Sequence, residues 1–268
     1  MDGINQKTYA AFSVVQHYAQ LKLLQPAEEA ILELFRDRWS SMKMLDIGVG
    51  GGRTTQHFAP LVAEYFGIDY SAEMVAACQK RFAPSPTAPQ IEVGDARDLS
   101  RFPDNSFDFI LFSFNGIDFV SHSDRLKVFQ EIRRVGKAGG HFFFSSHNLQ
   151  GLEREFDFRK HLSLNPITTY VNLVMFGILR FINRSFALAQ LKATTHAIVR
   201  DESHNFRLKT YYIRPEAQLK QLETNFSDVK VYSWKTGLQL TTTEELHANS
   251  DMWLYYLCVI NSTNKCNN

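Results

Sequence analysis

Leu45-Asp46-Ile47-Gly48-Val49-Gly50-Gly51-Gly52-Arg53 is the stretch on which the fold turns. The apolar run MKMLDIG (42–48) ends in an acid and a glycine. A glycine-rich turn follows and leads toward a helix expected from Arg53 to about Val62. Glycines let the main chain turn tightly and approach a ligand without Cβ contacts. The N-terminus of the next helix offers unpaired N–H groups to a carboxylate or phosphate. A dinucleotide-binding turn, G-x-G-x-x-G, would put glycine at position 53. Arginine stands there, and the spacing is D-x-G-x-G-x-G through Asp46, Gly48, Gly50 and Gly52. The phosphate-binding G-x-x-x-x-G-K-[ST] pattern is also absent. Hydride transfer and nucleotide hydrolysis both lose ground.

Outward from this turn, strands and helices alternate. EYFGID (64–69) reads as a second strand and SAEMVAACQKRF (71–82) as a helix capped by Ser71. IEVGDA (91–96), FDFILFSF (107–114) and HFFFSS (141–146) are further strands. SDRLKVFQEIRRV (123–135) is an amphipathic helix with Leu126, Phe129, Ile132 and Val135 inward. RPEAQLKQLETNF (214–226) is a helix, and SDVKVYSW and MWLYYLCVIN close the chain as strands. The pattern predicts an α/β fold, Rossmann-like and doubly wound, with a mainly parallel seven-stranded sheet and an antiparallel last strand. Residues 1–40 read as an N-terminal helical lid. Residues 41–146 and 214–262 form the core, and 147–213 an inserted helix/hairpin cap. Within the cap, PITTYVNLVMFGILRFINRSFALAQL (166–191) reads as a buried cap or lid helix, with a membrane-surface or partner-binding helix as the alternative. THAIVRD and FRLKTYYI flank the turn ESHN as a hairpin.

Composition narrows the partners. The chain has 268 residues, with 29 basic against 28 acidic side chains and a net charge of +1. That balance supplies no field for nucleic acid. Three cysteines without C-x-x-C spacing argue against a disulfide framework or a cysteine metal site. No signal peptide is visible, so cytoplasm is the expected location. No stable membrane insertion is expected either, since the longest apolar run falls short of the roughly 20 residues a bilayer span takes. Six of the 22 phenylalanines, Phe156, Phe158, Phe176, Phe181, Phe186 and Phe206, fall in the insert. They predict a dry roof over an acceptor pocket.

The glycine turn and the acids after it resemble the class I S-adenosylmethionine-dependent methyltransferases, nearest in flavour to the small-molecule branch. The likeness is strong over 42–146 and looser over 210–260. It implies S-adenosyl-L-methionine as cofactor, with Asp46, Gly48, Gly50 and Gly52 forming the turn beneath its methionyl part. Asp69 in GIDYSAEM would hold the ribose hydroxyls, Tyr70 and Met74 would flank the adenine, and Asp95 and Ala96 in VGDA would read its edge. By the same resemblance Ser113 and Phe114 would border the methyl group, and Tyr9 and Tyr18 in the leading helices resemble residues that close over the cofactor. GKAGG (136–140) resembles the family's K-P-G-G turn, with Ala138 in place of proline.

The acceptor side is open to several readings. Ser113-Phe114-Asn115 replaces the N-P-P-Y tetrapeptide of nucleic-acid amino-methylating relatives, so a small-molecule or small peptide-like acceptor is expected. Asn115, Asp118, His147 and Tyr211 are candidate substrate contacts, and His147, His204 and Tyr212 candidate bases. Structural hydrogen bonds or packing would explain each of them too. Orientation in such a displacement can be worth about 7–11 kcal/mol, against 10²–10⁴-fold for a general base, so a base is optional. Arg180, Arg184 and Arg200 share no spacing that would form an anion site, and no carboxylate cluster suggests a metal. Another group transfer from the same cofactor, such as aminopropyl transfer, and a non-catalytic scaffold subunit are the alternatives. A homodimer through the cap is the protein partner the apolar insert would allow.

Overall fold

The computed structural model describes residues 22–83, 88–201 and 206–262. Pro26 opens the first helix, α1 (Pro26–Leu34), where its missing N–H costs nothing. Strand β1 (Lys43–Ile47) then enters the glycine turn, and only a short helix, α2 (Thr55–Phe58), follows it. β2 (Glu64–Asp69), α3 (Ala72–Phe82), β3 (Gln90–Val93) and β4 (Phe107–Phe112) continue the alternation. Ser71 caps α3, its hydroxyl accepting from Met74 N–H at 3.2 Å. α4 (His122–Val135) leads into β5 (Gly136–Asn148), which absorbs the GKAGG segment with Gly139 at φ +76°.

The insert holds α5 (Leu149–Glu155), α6 (Pro166–Ile182), α7 (Leu188–Ala193), β6 (His196–Val199) and β7 (Thr210–Ile213). The chain closes through α8 (Pro215–Leu222), β8 (Phe226–Ser233), β9 (Gln239–Leu240), α9 (Thr243–Ala248) and β10 (Trp253–Ile260).

Seven strands form the expected sheet in the order β3-β2-β1-β4-β5-β10-β8. β10 runs antiparallel to both neighbours, and the others are parallel. β9 extends the far edge. The hairpin of β6 and β7 is present, and β7 pairs with the tail of β5 through His147↔Tyr212 and Asn148↔Ile213. The insert is therefore joined to the sheet at this point.

Side chains alternate between two packed faces. Leu45, Ile47, Ile110, Phe112, Phe142 and Phe144 point to one face, where Val128, Phe129, Ile132 and Val135 of α4 cover them. Met44, Phe109, Leu111 and Phe143 point to the other, beneath Ala27 and Ile31 of α1, Trp39 and Cys78. Much of the phenylalanine surplus is spent here, with Phe142 and Phe144 rings stacked at 4.7 Å. Burying each such ring contributes about 1.5–3 kcal/mol.

Three expectations need correction. In α4 the inward face includes Arg125, while Leu126 remains 38% exposed. The stretch 166–191 breaks into α6 and α7, and α6 is not a buried lid, since Leu179 is its single buried residue. The dry roof is formed only in small part: Phe186 borders a cavity beside the sheet edge, but Phe156 is buried, Phe158 and Phe181 are exposed, and none of the insert's phenylalanines lines the cavity over the glycine turn. Among the described residues no helix is long and apolar enough to cross a membrane.

Candidate functional site

Parallel strands ending at one edge create a crevice over their carboxyl ends. Here β1, β2 and β4 end in Ile47, Asp69 and Phe112, and a cavity opens above them. Ten of the residues assigned to the cofactor line it: Asp46, Gly48, Gly50, Asp69, Tyr70, Met74, Asp95, Ala96, Ser113 and Phe114. Gly52 does not. A Cβ there would stand 2.5 Å from the Phe82 ring and 2.9 Å from Cys78 Sγ, so this glycine lets α3 pack closely. Tyr9, Tyr18 and His204 lie outside the described residues.

The turn has the conformation its glycines were expected to supply. Gly48, Gly50 and Gly52 have φ of +71°, +52° and +83°, values that cost other L-residues energy. A Cβ at Gly50 would meet nothing within 4 Å, so it would project into open space. The turn is held across strands, as Gly50 N–H donates to Asp69 Oδ2 at 2.9 Å. Ser71 N–H donates to Asp69 Oδ1 at the same distance. Burial nonetheless raises the Asp69 pKa, against the pull of those two bonds.

Asp46 is more deeply placed. Thr54 Oγ1 and Tyr65 OH donate to its Oδ2 at 2.5 and 2.6 Å. Burial outweighs both and pushes its carboxyl up to about 7. Asp95 behaves oppositely. Burial raises it, but the side-chain and backbone hydrogen bonds of Arg97 outweigh that and hold it below the usual carboxylate range. Arg97 Nη2 reaches Asp95 Oδ2 at 2.6 Å, so any ligand amine at Asp95 shares it with a guanidinium.

A buried polar cluster that the sequence did not announce forms the wall beside the turn. Arg53, Thr54 and Phe119 line the cavity. Arg53 grips Glu28 of α1 in a two-pronged contact at 2.5 and 2.7 Å. Ser113 Oγ and Tyr255 OH donate to the same carboxylate, and Gln25 N–H donates at 2.7 Å. Glu28 is fully buried. Arg53 also lies over the Phe114 ring at 4.8 Å. Its place directly after the glycines was the available signal, whereas nothing local marked Glu28.

β4 ends in unusual backbone. Phe114 and Asn115 have φ of 58° and 62°, two successive side-chain-bearing residues in the left-handed region. Each such residue costs on the order of 1–3 kcal/mol and tends to persist at functional sites. Asn115 N–H donates to Ser145 Oγ at 2.8 Å. The Asn115 side chain is buried and does not line the cavity, which departs from its assignment as a substrate contact.

The other acceptor-side candidates separate. Asp118 is buried, paired with Arg125, and accepts from Ser146 Oγ at 2.8 Å and His147 N–H at 2.6 Å. Its Oδ2 lies 2.7 Å from His147 Nδ1. It is thus committed within the protein and not free to grip substrate. Tyr211 is buried, its hydroxyl 2.7 Å from His122 Nδ1. Tyr212 OH donates to Asp201 at 2.6 Å, and burial, then Asp201, raise its pKa well above the ordinary value. Neither tyrosine lines the cavity, and Tyr212 is unsuited to be a base. His147 sits behind Phe119, with ring centroids 6.5 Å apart.

Phe119 and Asp118 also border a second cavity. Its far wall comes from the insert, through Ile182, Asn183, Phe186, Ile198 and Arg200. Among the described residues no group of three or more His, Cys, Asp or Glu could hold a metal.

Comparison with known proteins agrees with the core. Residues 45–144 match the family described as methyltransferase domain. The chain is similar to an uncharacterized methyltransferase, YcgJ, of Bacillus subtilis, 36% identical over 107 residues. That likeness covers 39% of this chain and 40% of that protein, so it spans well under half of the relative's length. A methyltransferase structure from Methanosarcina mazei superposes with TM-score 0.55 at 17% identity, covering 90% of this chain and 99% of that one. Another from Clostridium acetobutylicum gives 0.57 at 15%, covering 88% and 91%. At such identities the structural likeness concerns the fold. Together these findings bear out a methyltransferase domain over residues 45–144 and a fold shared with S-adenosylmethionine-dependent methyltransferases.

Proposed function

We propose that this chain, whose residues 45–144 form a methyltransferase domain, transfers the methyl group of S-adenosylmethionine to a small-molecule acceptor. The observation that carries the proposal is the cavity over Gly48 and Gly50, walled by acids from successive strand ends. Open space where a Cβ of Gly50 would stand fits close approach of a ligand to the main chain. S-adenosylmethionine supplies a methyl group on a positively charged sulfonium, already activated for in-line displacement.

The protein's own contribution is placement. Asp69 would hold the ribose hydroxyls, Tyr70 and Met74 the faces of the adenine, and Asp95 and Ala96 its edge. Asp46 offers a carboxylate to the cationic end of the ligand. Phe119 borders both cavities, so the acceptor would lie across it, between Ser113-Phe114 and the insert. Holding acceptor and methyl in line there is worth about 7–11 kcal/mol. Where the acceptor must lose a proton, His147 is the candidate base, with Asp118 as its positioning residue. Aminopropyl transfer draws no support from Asp118, whose charge is already paired with Arg125.

Calorimetry with S-adenosylmethionine and S-adenosylhomocysteine tests the first step. Binding of both is expected, and absence of binding to folded protein would sink the proposal. Incubation of metabolite extracts with methyl-labelled cofactor then identifies the acceptor. Label appearing in nucleic acid or protein alone would overturn the small-molecule assignment.

A further inference from the structure

The insert carries charge and apolar surface in an arrangement that methyl transfer does not use. On α6, Ile167, Tyr170, Val171, Val174, Ile178 and Phe181 are between 38% and 74% exposed. At about 100° per residue they fall within roughly a 100° arc, one continuous stripe along the helix. A surface helix of a soluble protein turns such a stripe inward. This one turns it outward, and Leu164 projects fully from the preceding turn.

The insert, 147–213, carries nine Lys and Arg against five Asp and Glu, and the acids fall outside the stretch between Asp157 and Asp201. Residues 158–200 contain Arg159, Lys160, Arg180, Arg184, Lys192 and Arg200 and no aspartate or glutamate. The whole chain is nearly neutral at +1. All of these cations except Arg180 are exposed. Arg180 packs over Phe156 at 5.1 Å, with its guanidinium bonded to Phe186 O.

We propose that this face docks on a phospholipid surface bearing anionic headgroups, with α6 lying in the plane of the interface. An apolar arc flanked by basic side chains is the pattern of helices that sit at the headgroup–acyl boundary, and cationic flanks gain from the negative leaflet potential. A second copy of the chain is disfavoured, because pairing identical faces would set the basic flanks against each other. A protein groove would have to match both the convex stripe and the protruding Leu164, whereas fluid hydrocarbon accommodates either. The helix is not long and apolar enough to cross the bilayer, so the contact is peripheral. The second cavity shares this wall through Ile182 and Arg200, which places the docking face beside the acceptor side.

Co-sedimentation of the full chain with vesicles tests this. Vesicles containing phosphatidylglycerol are expected to bind the protein at least tenfold more tightly than pure phosphatidylcholine, with binding weakened by salt. Val171→Glu with Ile178→Glu should reduce binding at least tenfold. Arg159→Gln with Lys160→Gln should reduce both the binding and its salt dependence. Unchanged melting temperature and unchanged calorimetric binding of S-adenosylmethionine would show that both variants are folded. No binding to either vesicle, equal binding to both, or a salt-insensitive dimer dissolved by the Val171/Ile178 pair would overturn the proposal. Docking and cofactor binding are read separately, so either can fail without the other.

Discussion

Oδ2 of Asp118 lies 2.7 Å from Nδ1 of His147 and 2.6 Å from the same residue's backbone nitrogen. A carboxylate accepts hydrogen bonds, so Nδ1–H is the donor in this contact. Arg125 and Ser146 occupy Oδ1. The imidazole is thereby fixed in orientation by a carboxylate that is itself anchored.

If His147 takes a proton from the acceptor, His147→Gln should lower kcat roughly 10²–10⁴-fold. Calorimetric affinity for S-adenosylmethionine should stay unchanged, because His147 does not line the cofactor cavity. An undiminished kcat would leave orientation as the whole of catalysis. Asp118→Asn is the informative companion. It strands the fully buried Arg125, and removing one partner of a buried pair costs about 3–5 kcal/mol. Urea denaturation should show that loss for Asp118→Asn and little change for His147→Gln.

Asp46 makes a pH prediction with a definite sign. Its carboxyl is raised from 3.8 to about 7 in the fold. Between those values the folded protein holds a proton that the unfolded chain has released. The stability this group contributes is therefore complete below the lower value and is lost as pH rises through the higher one. Asp46→Asn should flatten that part of the stability profile near neutrality. A cationic ligand favours the ionised form, so S-adenosylmethionine binding just below neutrality should release a proton. Calorimetry in two buffers of different ionisation heat would detect it, and the release should vanish in Asp46→Asn.

Two glycines of the same turn should fail differently. Gly50→Ala carries a backbone cost of about 1–3 kcal/mol at φ +52°, but its Cβ meets no atom, so it should weaken cofactor binding while the protein still folds. Gly52→Ala drives a Cβ toward Phe82 and Cys78. Overpacking of that kind costs about 1–3 kcal/mol, so lowered stability should precede any loss of affinity. Reversed outcomes would mean that Gly52, not Gly50, faces the ligand.

The parts of the site that could be read in the chain are those whose signal is local. Asp46, Asp69 and Asp95 close apolar runs, and the alternating elements around them place each at the same sheet edge. Contacts between distant residues left no such mark. Glu28 meets Ser113 and Tyr255 across most of the chain, and no spacing encodes it. Periodicity also cannot say whether an apolar stripe points inward, which is why α6 reads as buried and lies exposed. Arg125 shows the converse: a charge on a helix reads as solvated, yet here Asp118, the Ile117 carbonyl, Gln218 and Ser146 hold its two terminal nitrogens in the core, while its Nε has no partner.

Glu28 gives the strongest test of how the leading helix serves the site. It accepts from Arg53, Ser113, Tyr255 and Gln25 and so ties α1 to the glycine turn, to the end of β4 and to β10. Glu28→Gln removes the charge that offsets buried Arg53 and should destabilise the fold by about 3–5 kcal/mol. Ser113→Ala deletes one neutral donor to a charged acceptor and should cost about 1.5–3 kcal/mol. Chemical denaturation ranks the two. Because Arg53 also lines the cavity, releasing it from Glu28 should weaken S-adenosylmethionine binding even where the variant remains folded. An intact affinity in Glu28→Gln would show that α1 supports the fold without shaping the site.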